Sequence, residues 1–121
     1  MHSSTLELEL DARATGVLVT DQTITVDLED GRTIAIPTAW YPRLRYATPK
    51  ERKEFEITPM GIEWPVIEAD FSIRGLLLGH KSGESAESFN FWMENRQRGN
   101  RATFADFLKH RRKTNKVKIS A

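Results

Sequence analysis

Polar and apolar residues alternate with a period of two through the first third of the chain. Leu6-Glu7-Leu8-Glu9-Leu10 puts three leucines on one face of a strand. Gly16 to Val19 reads as a second strand after the interruption at Asp11-Ala12-Arg13. Thr23 to Leu28 carries Ile24, Val26 and Leu28 on one face, and Arg32 to Ile36 returns with Ile34 and Ile36. Asp30-Gly31 between them is a hairpin signal for a tight primed turn, because glycine takes φ > 0 cheaply. Pro37 ends the ladder, since it has no N–H to donate. A meander of this kind needs an apolar cover to be stable.

The period then lengthens and breaks. Trp40-Tyr41-Pro42-Arg43-Leu44 predicts a short helical turn ending near Ala47. Thr48-Pro49-Lys50-Glu51 is a capping box with proline at the first helical position, so a short helix starts there. Phe55–Thr58 and Ile62–Trp64 predict a second hairpin through Pro59-Met60-Gly61, closed by Pro65. Val66 to Phe71 reads as a loop or short turn. Ile73 to Leu78 reads as a helix capped by Asp70 or Ser72 and stopped by Gly79. Lys81-Ser82-Gly83 is a linker. Phe89, Trp92 and Met93 follow helical spacing within an Ala86–Arg98 helix, broken by Gly99-Asn100. Thr103-x-x-Asp106 opens a last helix with Phe104, Phe107 and Leu108 on one face, and Arg111 to Ser120 reads as a basic, frayed end. The pattern predicts an α+β fold: a small antiparallel sheet of two hairpin units with short helices over residues 1–80. A C-terminal helical extension with a basic tail follows over 81–121.

Charge sharpens that division. The 121 residues carry 18 Lys/Arg and 17 Asp/Glu. Residues 92–121 hold nine Lys/Arg against two Asp/Glu, a net +7, and residues 1–91 hold nine against fifteen, a net −6. A split of this kind points to nucleic acid or an acidic partner. Cysteine is absent, which excludes disulfides, thiolate metal sites and cysteine nucleophiles and agrees with a cytoplasmic setting. No apolar run approaches the roughly 20 residues that span a bilayer, so no membrane role is expected.

Several uncommon residues occur in a fixed order: Leu28-Glu29-Asp30-Gly31-Arg32, Ile36-Pro37, Trp40-Tyr41-Pro42-Arg43-Leu44 and Ala47-Thr48-Pro49 with Glu51-Arg52. They continue with Gly61-Ile62-Glu63-Trp64-Pro65, Asp70-Phe71-Ser72-Ile73, Gly75-Leu76-Leu77-Leu78-Gly79, and Ser82-Gly83-Glu84-Ser85 followed by Trp92. From about residue 12 to 97 the chain resembles a bacterial family known as domain of unknown function 2442. The resemblance implies a small α+β fold with no established activity or catalytic residues. It further implies a setting in small operons akin to toxin–antitoxin or mobile-element modules, and some members carry a C-terminal helix-turn-helix. Phe55 stands where the family commonly has an indole, and Glu68-Ala69-Asp70 replaces a more acidic run.

Candidate chemistry is sparse. His2, His80 and His110 share no ligand spacing with each other or with nearby carboxylates, so neither a metal nor another cofactor is expected. Glu63, Glu68 and Asp70 around Trp64-Pro65 suit acid–base work only if burial separates their pKa values; the simpler reading makes Asp70 a cap and Glu63 a solvent-facing strand residue. No phosphate-binding glycine loop or nucleophile elbow exists. No catalytic residue is assigned, and a non-enzymatic module is expected.

Two basic groupings remain. Trp40, Tyr41, Arg43, Arg45, Tyr46 and Arg52 mix aromatic and cationic groups suited to stacking plus phosphate contact. The structural reading weighs more there: Trp40 and Leu44 cover the sheet, and Arg43 or Arg52 pairs with Glu51 or Glu54. The stronger signal is Arg96, Arg98, Arg101, Lys109, Arg111, Arg112, Lys113, Lys116 and Lys118. That run suits a regulatory or accessory module binding nucleic acid or a nucleoprotein complex. The alternative is an antitoxin-like module whose helices order on a partner protein encoded nearby. A solvated tail that only keeps the protein soluble is the plain reading beside both.

Overall fold

The computed structural model describes residues 12–120, with side chains through Lys113. The expected strand at Leu6–Leu10 lies outside the described residues. The chain divides into two compact units, Met1–Ser82 and Gly83–Ala121.

The first unit holds two antiparallel three-stranded sheets. Strands β1 (Ala14–Val19), β2 (Thr23–Leu28) and β3 (Thr33–Pro37) form a meander in that order. Ile24 pairs with Ile36 and Val26 with Ile34, so the alternating residues of the sequence face inward together. Ile24 and Val26 are fully buried, while Thr23 and Asp27 are exposed. The β2–β3 turn differs from the primed form. Gly31 alone has positive φ, at 93°, and its N–H donates to the Leu28 carbonyl at 3.1 Å. The three-residue loop Glu29-Asp30-Gly31 closes on this positive-φ glycine, with Leu28 N–H donating to the Arg32 carbonyl at 2.9 Å across its base. Asp30 favours it by accepting from both the Arg32 backbone N–H at 3.0 Å and its guanidinium at 2.8 Å. Arg32 holds the Asp30 carboxyl below its usual range.

After a 3₁₀ turn at Thr38–Trp40 come helices α1 (Pro42–Arg45) and α2 (Pro49–Lys53). The α2 capping box is complete: Glu51 N–H donates to the Thr48 hydroxyl, and Thr48 N–H donates to the Glu51 carboxylate at 2.8 Å. The second sheet comprises β4 (Glu56–Ile57), β5 (Gly61–Trp64) and β6 (Ala69–Ser72). The β4–β5 hairpin pairs Ile57 with Ile62, as the sequence pattern predicts. Strand β6 overlaps the stretch Val66 to Phe71 that reads as a loop, from Ala69 to Phe71. Ile67 is buried in the turn before it, and Glu68 takes φ 53°, which bends the chain back to pair Trp64 with Ala69 and Ile62 with Phe71. That left-handed turn at a non-glycine residue hides the strand from a periodicity argument.

One consequence of this register is a row of like charges. Glu56 pairs with Glu63 and Glu63 with Asp70, so three exposed carboxylates line up across all three strands. Asp70 is therefore a strand residue and caps no helix. Ser72 is the cap of α3 (Ile73–Leu77), accepting from Gly75 N–H at 2.9 Å. Gly79, at φ 78°, ends α3 with paired bonds from Gly79 N–H to Leu76 and His80 N–H to Gly75, a Schellman closure.

The core joins the two sheets. Helix α2 and strand β4 adjoin β1, and α3 adjoins β3 and β5. Trp64 is fully buried, with Phe71 at 5.3 Å and Phe55 at 6.2 Å. Tyr41 meets the edge of Phe71 at 5.3 Å. Aromatic pairs at this spacing add about 0.5–1.5 kcal/mol beyond area burial.

The second unit has helices α4 (Ala86–Gln97) and α5 (Phe104–Ser120). Helix α5 takes in the basic end through Ser120. Lys and Arg are good helix formers, so nothing in that run forces a stop.

Candidate nucleic-acid interface

Local sequence sets the two helices. Ser85 caps α4 by accepting from Ser88 N–H at 3.1 Å, and the Ser88 hydroxyl donates to Glu84 at 2.6 Å. Gly99, at φ 78°, ends α4 with the same closure as α3: Gly99 N–H donates to Arg96 and Asn100 N–H to Asn95. Thr103 and Asp106 then form a reciprocal box at the start of α5, with bonds of 2.9 and 3.1 Å. The Thr103 backbone N–H, then its hydroxyl, hold the Asp106 carboxyl below its usual range, and the nearby Lys109 charge acts in the same direction.

The helices meet along an aromatic seam. Phe91 on α4 lies 5.6 Å from Phe107 and 5.2 Å from the His110 ring. Phe107 is buried, and Phe104 stacks on it at 5.8 Å with planes 23° apart. Phe104 and Leu108 remain exposed, at 44% and 37%. Thus the apolar face read from sequence divides: Phe107 turns to the seam, and the other two face outward.

The basic residues divide too. The Arg96 guanidinium lies 4.4 Å over the Trp92 ring and is engaged within the unit. Arg98 and Arg101 flank the interhelical turn, and both are exposed. Lys109, Arg111, Arg112 and Lys113 are exposed on α5. Lys109, Arg112 and Lys113 share one flank by helical spacing, while Arg111 follows Leu108 by three residues and Phe104 by seven. The side chains of Lys116 and Lys118 lie outside the described residues.

The aromatic-basic cluster of the first unit is mostly internal. Buried Arg43 donates to the Ile67 carbonyl at 2.9 Å, fixing the turn before β6. Buried Arg52 donates to the carbonyls of Leu44 and Arg45 at 3.0 and 2.8 Å and to the Asp21 carboxylate at 2.9 Å. Its ion-pair partner is thus Asp21, neither Glu51 nor Glu54. The Tyr41 hydroxyl donates to the His80 carbonyl at 2.9 Å, and half-buried Trp40 carries Lys81 at 5.2 Å. Only Arg45 and Tyr46 of this group are exposed, and Arg45 donates to the Asp21 carbonyl at 3.1 Å. Sequence reasoning could not locate these carbonyl acceptors, because three of them come from distant turns. Among the described residues, no group of three His, Cys, Asp or Glu gathers to hold a metal ion. No helix among them is long and apolar enough to cross a membrane.

Residues 14–82 match the family described as protein of unknown function DUF2442. The chain belongs to the DUF2442 family. The DUF2442 match covers both sheets and ends where the first compact unit ends, at Ser82. It is narrower than the resemblance drawn from residue 12 to 97, and the basic segment lies beyond it. Two solved structures are similar. A protein of unknown function from Rhodospirillum rubrum shares 27% identity at TM-score 0.52, covering 60% of this chain and 93% of its own. The solution structure of an uncharacterized protein from Chromobacterium violaceum shares 26% identity at TM-score 0.53, covering 78% and 87%. No protein of curated function matches the chain.

Proposed function

We propose that this DUF2442 protein is a non-catalytic accessory or regulatory module that binds nucleic acid through its second unit. The observation that carries this reading is the exposure of Arg98, Arg101, Lys109, Arg111, Arg112 and Lys113 on one small helical unit. Residues 92–121 hold only Glu94 and Asp106 as acidic side chains, and Asp106 is committed to the Thr103 cap. Cations in such excess over carboxylates suit phosphate, whose counterions they release on binding. The first unit then serves as scaffold: Arg43 and Arg52 hold its turns together, and its other cations are outweighed, since residues 1–82 hold nine Lys/Arg against thirteen Asp/Glu. An antitoxin-like module docking on a protein is less favoured, because exposed charge on α5 outweighs the two exposed apolar side chains.

The test is a full-length variant with Lys109, Arg112 and Lys113 all changed to Gln, titrated against labelled nucleic acid at several salt concentrations. The parent should bind with a steep negative salt slope, and the variant should lose about three phosphate contacts' worth of that slope. Equal binding and equal slope would remove the basic helix from the account.

A further inference from the structure

Phosphate attraction explains the cations of α5 but not the two large apolar side chains exposed among them. Phe104 and Leu108 lie one turn apart, and Arg111 and Arg112 follow on the next turn. The ridge is held from beneath: Phe104 stacks on Phe107, and Phe107 packs on Phe91 of α4. A benzyl ring supported in this way, with Arg111 about two turns further along the same face of the helix, is a platform for a planar, anionic ligand.

We infer that this ridge selects single-stranded over double-stranded nucleic acid, an inference that rests on the nucleic-acid reading above. An unpaired base offers a free π-face to Phe104 while its phosphates meet Arg111, Arg112 and Lys109. Arginine planes also stack on splayed bases. A duplex keeps its base faces covered, so it uses the cations alone unless a wedge unstacks a step at an energetic cost. A second copy of the chain is a poor occupant. Two such ridges laid together would set Arg111 and Arg112 against their own kind, and like charges in contact repel.

The experiment uses the full chain and fluorescence anisotropy with a labelled oligothymidylate and a labelled duplex of equal length. The single strand should bind about tenfold more tightly than the duplex. Phe104→Ala should weaken the single strand by about tenfold and the duplex by less than about twofold, leaving the charge contacts in place. Phe104→Tyr, which keeps the ring, should restore single-strand binding; its helical circular dichroism separates loss of the platform from loss of the fold. Equal affinity for the two forms, or equal losses in Phe104→Ala, overturns the inference while the nucleic-acid reading stands. Absence of binding to either form overturns both. Tighter binding to anionic vesicles or to an acidic peptide, with the same loss in Phe104→Ala, assigns the ridge to a different occupant and overturns the inference.

Discussion

The Trp64 indole N–H donates to the backbone carbonyl of Arg52 at 3.1 Å, deep in the core. The same arginine sends its guanidinium to the Leu44 and Arg45 carbonyls at the end of α1. One residue thus ties the second sheet, through its main chain, to the first helix, through its side chain. Cations near helix carbonyl ends are favourable, and here the contact is buried.

Arg52→Met should therefore destabilise the first unit by about 2–4 kcal/mol, because it strips donors from the buried Leu44 carbonyl and the part-buried Arg45 carbonyl. The midpoint of urea unfolding, followed by Trp fluorescence, measures it. Asp21→Ala should cost much less, about 0–1 kcal/mol, because Asp21 is largely exposed.

Gly61 is dictated by space. A Cβ built there would lie 2.0 Å from the Phe71 carbonyl oxygen. Backbone cannot yield as a flexible side chain can, so Gly61→Ala should cost about 3 kcal/mol and loosen the β5–β6 pairing. Gly83→Ala meets nothing within 4 Å and should change stability by less than about 0.5 kcal/mol. Thermal melts of the two variants give the comparison directly.

Tyr41 makes the first unit sensitive to alkali. Burial, then the Asp70 charge, raise its phenol pKa above the ordinary value of 10.0. The folded state therefore holds this proton more tightly than the unfolded one. Its contribution is fully present below the unfolded value and is lost as pH rises through the folded one. Stability should fall above about pH 10, where an ordinary tyrosine ionises. Tyr41→Phe should remove the Tyr41 share of that fall and cost about 1 kcal/mol at neutral pH, because it deletes the bond to His80. Unfolding curves across alkaline pH test both statements.

The start of α5 should respond to acid with the opposite sign. The Asp106 carboxyl is held below its usual range by the Thr103 cap, so its contribution is present above the unfolded pKa and fades as pH falls through the folded one. Ellipticity at 222 nm should drop in acid for the parent, and the part due to this cap should be missing in Asp106→Ala. A parent and variant with identical acid profiles would show that the cap does not set the helix start.

What was legible in the sequence was local. The Thr48/Glu51 and Thr103/Asp106 boxes, the glycine stops at Gly79 and Gly99, and the inward faces of β2 and β3 each depend on residues a few positions apart. Strand β6 was hidden because its turn uses Glu68 in a left-handed conformation and the strand buries Phe71 alone, which leaves no alternation to read. Arg43 and Arg52 read as partners of Glu51 or Glu54 because the carbonyls they serve are supplied by segments distant in sequence or by a helix end. The basic run was legible as charge. Its sorting was not: the Arg96 contact with Trp92, the seam with Phe107 and the outward turn of Phe104 follow from packing of α4 against α5.

The row Glu56–Glu63–Asp70 has a colloidal consequence. Strands β4 and β6 are the outer strands of their sheet among the described residues, and outer strands invite other chains to add on. Any copy approaching this face in the same register would bring carboxylates against carboxylates. The local repulsion between neighbouring strands is tolerated within one molecule and multiplied between molecules. A sheet that would otherwise template growth is thereby kept dispersed in a crowded solution, and neutralising the row should shorten the time the protein stays clear in concentrated samples.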